Sequence, residues 1–103
     1  MLLAFSIAPA GPDEDDSYAP AVAAALQVVR DSGLPHDLGS MFTTIEGSWD
    51  EVMAVIKQCV DAMEPYGDRV SLVMKADIRA GRTDQITAKV DRVARLLDGG
   101  TSA

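Results

Sequence analysis

Residues 41–57 read MFTTIEGSWDEVMAVIK. This stretch holds a short strand over 43–46, a stop at Gly47 and the start of an amphipathic helix. Ser48 is a plausible N-cap, and Glu51 stands three residues later, the spacing of a capping box. Asp50 and Glu51 add negative charge where the helix dipole is positive. Glu46 is a carboxylate on a strand otherwise made of Thr and Ile, so it either faces water or serves a site.

Immediately before this stretch, HDLGSM at 36–41 pairs with TTIEG as a hairpin that turns near Met41 and Phe42. Further back, residues 2–8 alternate: Leu3, Phe5 and Ile7 on one face, Ala4, Ser6 and Ala8 on the other. Pro9, Gly11 and Pro12 break that strand, and residues 13–16 form an acidic, solvated loop whose adjacent carboxylates do not converge on a metal. Ser17 caps a first helix running to about Ser32, with Tyr18, Val22, Leu26 and Val29 as its buried stripe. Gly33 ends it and Pro35 keeps it from resuming.

On the C-terminal side the helix from Trp49 to about Glu64 buries Val52, Ile56, Cys59 and Met63, widened by Val55 and Val60. Pro65 and Gly67 close it. Residues 69–79 alternate again, with Val70, Leu72, Met74, Ala76 and Ile78 on one face. Thr83 caps a third helix with the stripe Ile86, Val90, Val93 and Leu97, and residues 99–103 form a loose tail.

The element order is β-α-β-β-α-β with an added helix, an α+β ferredoxin-like sandwich over residues 1–98. Its four-stranded antiparallel sheet takes the order 4-1-3-2, with the first strand between the third and fourth and both main helices on one face. The opposite face then gathers Ser6, Thr44, Glu46, Ser71, Lys75 and Asp77, with Ala4, Ala8 and Val73 among them. Polar groups mixed with small apolar ones suit a pocket floor or an interface. The alternative is a wet sheet face in which Lys75 pairs with Asp77 or Glu46.

At 103 residues the chain forms one domain, and 48% hydrophobic against 24% charged residues describes a folded protein. A net charge of −7 argues against a nucleic-acid groove and an anionic membrane surface, and is compatible with a cationic ligand. The single Cys59 forms no internal disulfide and no metal cluster. The apolar opening lacks a basic flank and is too short to span a bilayer, so a cytoplasmic protein is expected. Cys59 reads as packing, Trp49 as a staple over the core edge, and His36 has no Ser or Cys paired with it. Phosphate loops, zinc spacings and nucleophile elbows are absent.

The opening strand with Ser6, Pro9 and Gly11, the core MFTTIEG, the following WDEVMAVIK, and RVSLVMKADIRAG leading to KVDRV resemble the YkoF-like thiamine-binding proteins. The most specific element is Thr43, Ile45, Glu46 and Gly47. The chain departs from the family pattern at Phe42, where Gly is usual, and at Ile78, where a second acidic residue is frequent. The resemblance implies non-covalent binding of thiamine or its hydroxymethylpyrimidine part, no cofactor, and dimers or tetramers formed through the sheets. Under that reading Glu46 meets the aminopyrimidine edge or the thiazolium charge, and Ser6, Ser40, Thr43 or Thr44 orient the ring, with Lys75 and Asp77 nearby. Thr43 shares parity with core-facing Ile45, so it reaches the polar face only through a bulge. Two other classes remain: a cofactor-free dimeric enzyme with His36 or Asp77 as base, and a structural or regulatory oligomer docking a partner.

Overall fold

A computed structural model describes residues 1–12 and 15–100, with residues 99 and 100 described by their backbone alone. The elements are β1 (Leu2–Pro9), α1 (Ala19–Ser32), β2 (His36–Leu38), β3 (Thr43–Glu46), α2 (Trp49–Ala62), a 3₁₀ turn (Glu64–Tyr66), β4 (Val70–Asp77) and α3 (Gln85–Arg95). One wider helical turn, Leu96–Gly100, extends α3. The strands form one antiparallel sheet in the order β2-β3-β1-β4, the expected ferredoxin-like arrangement with β1 inside. Residues 13 and 14 of the expected acidic loop and 101–103 of the expected tail lie outside the described residues.

The start of α2 forms as its sequence dictates. Ser48 Oγ accepts from Glu51 N at 3.2 Å, and Glu51 Oε1 accepts from Ser48 N at 2.9 Å. The core lies between the sheet and the two main helices: Leu3, Phe5 and Ile45 below, Ala21, Ala25 and Val29 from α1, and Val52, Val55, Ile56, Cys59 and Met63 above. Burial pushes the Cys59 thiol up to about 11, so it packs as a neutral group.

Three expectations are corrected. The buried stripe of α1 is Ala21, Ala25 and Val29, while Tyr18 and Val22 are exposed and Leu26 is half-buried. A face of alanines lets α1 lie close to α2, close enough for Cys59 Sγ to donate to Ala25 O at 3.5 Å. On β4, Met74 and Ala76 are exposed although they share the core-facing parity, because β4 is an edge strand and both helices pack on β1. Trp49 is 56% exposed, more open than a staple over the core edge would be.

The molecule is long. Its Cα radius of gyration is 16.0 Å with extents of 55 × 30 × 20 Å, whereas a compact chain of this length has about 13 Å. On α3 the apolar residues Val90, Val93 and Leu97 are all exposed.

The closeness of α1 to α2 is testable. Ala25→Leu should destabilise the fold by about 1–3 kcal/mol through overpacking, read as a lower midpoint in urea unfolding. An unchanged midpoint would show that the helices do not meet at Ala25.

Candidate functional site

The arrangement begins with hydrogen-bond parity on β1. Met1 N donates to Gly47 O at 2.7 Å and Gly47 N donates to Met1 O at 3.1 Å, so Met1 and Gly47 exchange both bonds. In an antiparallel ladder such pairs alternate. Leu3 opposite Ile45 and Phe5 opposite Thr43 are therefore the next two residues of β1 whose main chain faces β3. Ile7 is the third. β3 begins only at Thr43, while β1 stays paired with β4 as far as Pro9. Beyond Phe5 the inner strand thus has one uncovered side, and the main-chain N–H and C=O of Ile7 point into it. Pro9, next in the same parity, has no N–H to offer there, which is where a strand tolerates proline.

The uncovered side is the wall of a cavity of about 260 Å³. Phe5, Ser6 and Ile7 form one side, Val22, Ala25 and Leu26 of α1 another, and Gly39, Ser40, Met41 and Thr43 the third. That volume lies just below the range of about 300–1,000 Å³ usual for small-molecule pockets. Three hydroxyl-bearing residues, Ser6, Ser40 and Thr43, border it among apolar walls. The third wall depends on a tight turn: Gly39 N donates to Phe42 O at 2.9 Å, and a Cβ at Gly39 would sit 2.5 Å from that oxygen. Phe42 contributes its carbonyl to this turn, and its side chain does not line the cavity.

At the other end of β3 the carboxylate has a different task. Glu46 is 7% exposed; its Oε2 accepts from Gln85 N at 2.9 Å and its Oε1 from Ile86 N at 3.1 Å. It caps α3 from another strand, the role expected of Thr83. Asp84, at φ 55°, makes no side-chain cap of its own. The first turns of α3 are also tied by an ion pair between Lys89 and Asp77, which holds the Asp77 carboxyl below the usual carboxylate range. A more open cleft of about 560 Å³ lies beside this junction, bordered by Trp49, Glu51, Arg79 and Arg82.

The seven candidate residues therefore separate into three groups. Ser6, Ser40 and Thr43 meet at the 260 Å³ cavity. Thr44 and Lys75 flank Ala4 on the open sheet face, and Lys75 has no carboxylate partner among the described residues. Glu46 and Asp77 hold α3, so neither pairs with Lys75 as expected of a wet face. Thr43 reaches the cavity without a bulge, since its register with Phe5 and Leu38 is continuous and it is 8% exposed. The cavity lies at the end of β3 rather than on either sheet face, a location that face parity alone does not reveal.

His36 lies on β2 and Asp77 on β4, the two outer strands of the sheet, about 14 Å apart across three strand spacings. His36 Nδ1 is 2.9 Å from Leu34 O. Among the described residues no three His, Cys, Asp or Glu side chains are grouped to hold a metal ion. No described helix is long and apolar enough to cross a membrane.

A family model described as thiamine-binding protein matches residues 3–94. The chain belongs to this family. It is 48% identical over 98 residues to a UPF0045 protein of Mycobacterium bovis, covering 94% of each chain. A UPF0045 protein of Synechocystis is 36% identical over 78 residues, 75% of this chain and 64% of that one. Among solved structures, a candidate thiamine biosynthesis/salvage protein of Thermotoga maritima superposes with a TM-score of 0.77 at 25% identity, covering 89% of this chain and 96% of that one. A domain of unknown function, DUF77, from Bacillus cereus gives 0.74 at 29% identity, over 86% and 85% of the two chains. The family is thus named for binding, and the fold is shared along most of the chain.

Because both Glu46 oxygens are engaged by α3, Glu46→Ala should cost about 1–2 kcal/mol of stability, the size of a lost cap and its dipole interaction. Thermal unfolding of the variant, with ligand titration alongside, checks this. An unchanged melting temperature with abolished binding would instead assign Glu46 to the ligand.

Proposed function

We propose that the chain binds thiamine non-covalently through its pyrimidine end, in the cavity beyond β3, and does no chemistry on it. The observation that carries this reading is the meeting of Ser6, Ser40 and Thr43 in a ring-sized space walled by Phe5, Ile7, Val22 and Leu26. Apolar walls with a few convergent polar groups are the usual make-up of a small-molecule site. The family name supports the ligand class. The net charge of −7 favours approach of the cationic thiazolium. Arg79 and Arg82 stand at the opposite end of β3, so phosphate esters gain no partner at the cavity.

Calorimetric titration of the purified protein tests the proposal. Thiamine should saturate near one per chain and be recovered intact, with thiamine diphosphate binding no more tightly. Thr43→Val should weaken binding by about 3- to 10-fold, the size of one net hydrogen bond, with unfolding little changed. Flat traces from folded, ligand-free protein would reject the binding role.

The chain also assembles with copies of itself under this proposal. Ala4, Thr44, Val73 and Lys75 form a sheet face that α1 and α2 do not cover, and Val90, Val93 and Leu97 extend beyond the body on α3. A second copy covering both would remove apolar surface from water and restore compactness. Sedimentation should give a multiple of 10.9 kDa, and Val93→Glu with Leu97→Glu should shift it to the monomer. A monomeric wild type at high concentration would refute the assembly.

A further inference from the structure

We infer that the cleft of about 560 Å³ beside the start of α2 is a second ligand site, which takes a flat aromatic ring carrying a single carboxylate. The cleft and the cavity at Thr43 lie at opposite ends of β3 and share no lining residue. Its volume falls within the range of about 300–1,000 Å³ usual for small-molecule pockets.

Two arginines supply the anion-binding half. Arg82 N donates to Arg79 O at 3.3 Å, closing a four-residue turn in which Gly81 takes φ 72°. A positive φ at the third position is what a type II turn requires, and the ends of a turn lie within about 7 Å of one another. Arg79 and Arg82 are those ends, so their guanidinium groups can converge on one anion. Neither has a carboxylate partner among the described residues, and Asp77 pairs with Lys89 instead.

The carboxylates bordering the cleft are mostly engaged elsewhere. Glu46 accepts from Gln85 N and Ile86 N at the start of α3, and Glu51 accepts from Ser48 N at the start of α2. Helix N-termini offset negative charge in such places. The Met1 ammonium donates to Gly47 O and is balanced by Glu51, whose charge it favours. Asp84 makes no side-chain cap and is the carboxylate left over. Two guanidinium groups against one free carboxylate leave a surplus that matches a monoanion. Arginine's planar fork suits a carboxylate in particular.

Trp49 supplies the ring-binding half. It is the chain's single tryptophan, set at the start of α2 by the capping box, and it is 56% exposed. Leu34, Pro35 and Ile78 continue an apolar wall beside it. An indole held on a helix start offers a flat ring a rigid face at little cost in ordering.

The experiment titrates the full chain with quinoline-2-carboxylate, using quinoline-2-carboxamide and acetate for comparison. Trp49 gives the single indole N–H signal in the NMR spectrum, so that signal reports on the cleft directly. The carboxylate should shift it saturably and bind about tenfold more tightly than the amide, the worth of a hydrogen bond to a charged group. Acetate, which lacks the ring, should not saturate. Arg79→Gln with Arg82→Gln should bring the carboxylate to the amide's affinity, and both arginines are exposed, so the melting temperature should hold. Arg30→Gln, an exposed charge on α1, should bind as the wild type does. An indole signal unmoved by the carboxylate, equal affinity for acid and amide, or a double variant that binds like the wild type overturns the inference. None of these outcomes bears on thiamine, whose proposed cavity shares no residue with the cleft.

Discussion

The molecule depends on β1 being an inner strand whose two neighbours differ in length. β4 runs beside it for all eight residues, and β3 for only four. The long pairing fixes register, since a slip of one residue would send Leu3 and Phe5 from the core to the opposite face. The short pairing leaves the far half of β1 open on one side. α1 closes over that opening from above, and the turn from Gly39 to Phe42 closes it from the end. The sheet's incompleteness and its candidate binding site are thus the same feature.

At the other end of β3 the structure spends its buried carboxylate on architecture. An amphipathic helix that leaves the body has no neighbouring helix to fix its direction. Glu46 supplies that through two main-chain N–H groups, and Asp77 adds a second tie one turn later through Lys89. Gln85 fits into the same junction, with Nε2 donating to Thr83 O at 2.9 Å. Its Oε1 is the buried side-chain polar atom left without a partner among the described residues. The first turn of α3 is therefore anchored while its outer apolar stripe stays available.

Sequence patterning reached the fold because each element carried its own signals. Ser48 with Glu51, Gly33 before Pro35, and the alternations through residues 2–8 and 69–79 each specify local geometry. The buried face of α1 does not follow from residue size, since its largest apolar residues, Tyr18, Val22 and Leu26, are not the buried ones. Close helix packing prefers small residues, and the alanines between them were what the helix buried. Ser6, Ser40 and Thr43 were named from sequence, but the place where they meet was not. That place is set by how late β3 begins, a length of pairing that no side chain encodes directly. Pro9 carried a trace of it, since its missing N–H fits a strand with no neighbour on that side. Glu46 was singled out as a charge on an apolar strand, but its partners lie about 40 residues on, on main-chain atoms that sequence does not distinguish.

The half-covered strand has a further consequence. An uncovered strand side is a sheet edge, and sheet edges invite pairing with other chains and aggregation. Here the edge is only a few residues long, roofed by Val22 and Leu26, blocked by the turn at Gly39, and ended by a proline. A foreign strand finds neither the length nor the clearance to dock. The open side of β1 is therefore too short and too enclosed to act as a sheet edge toward another polypeptide.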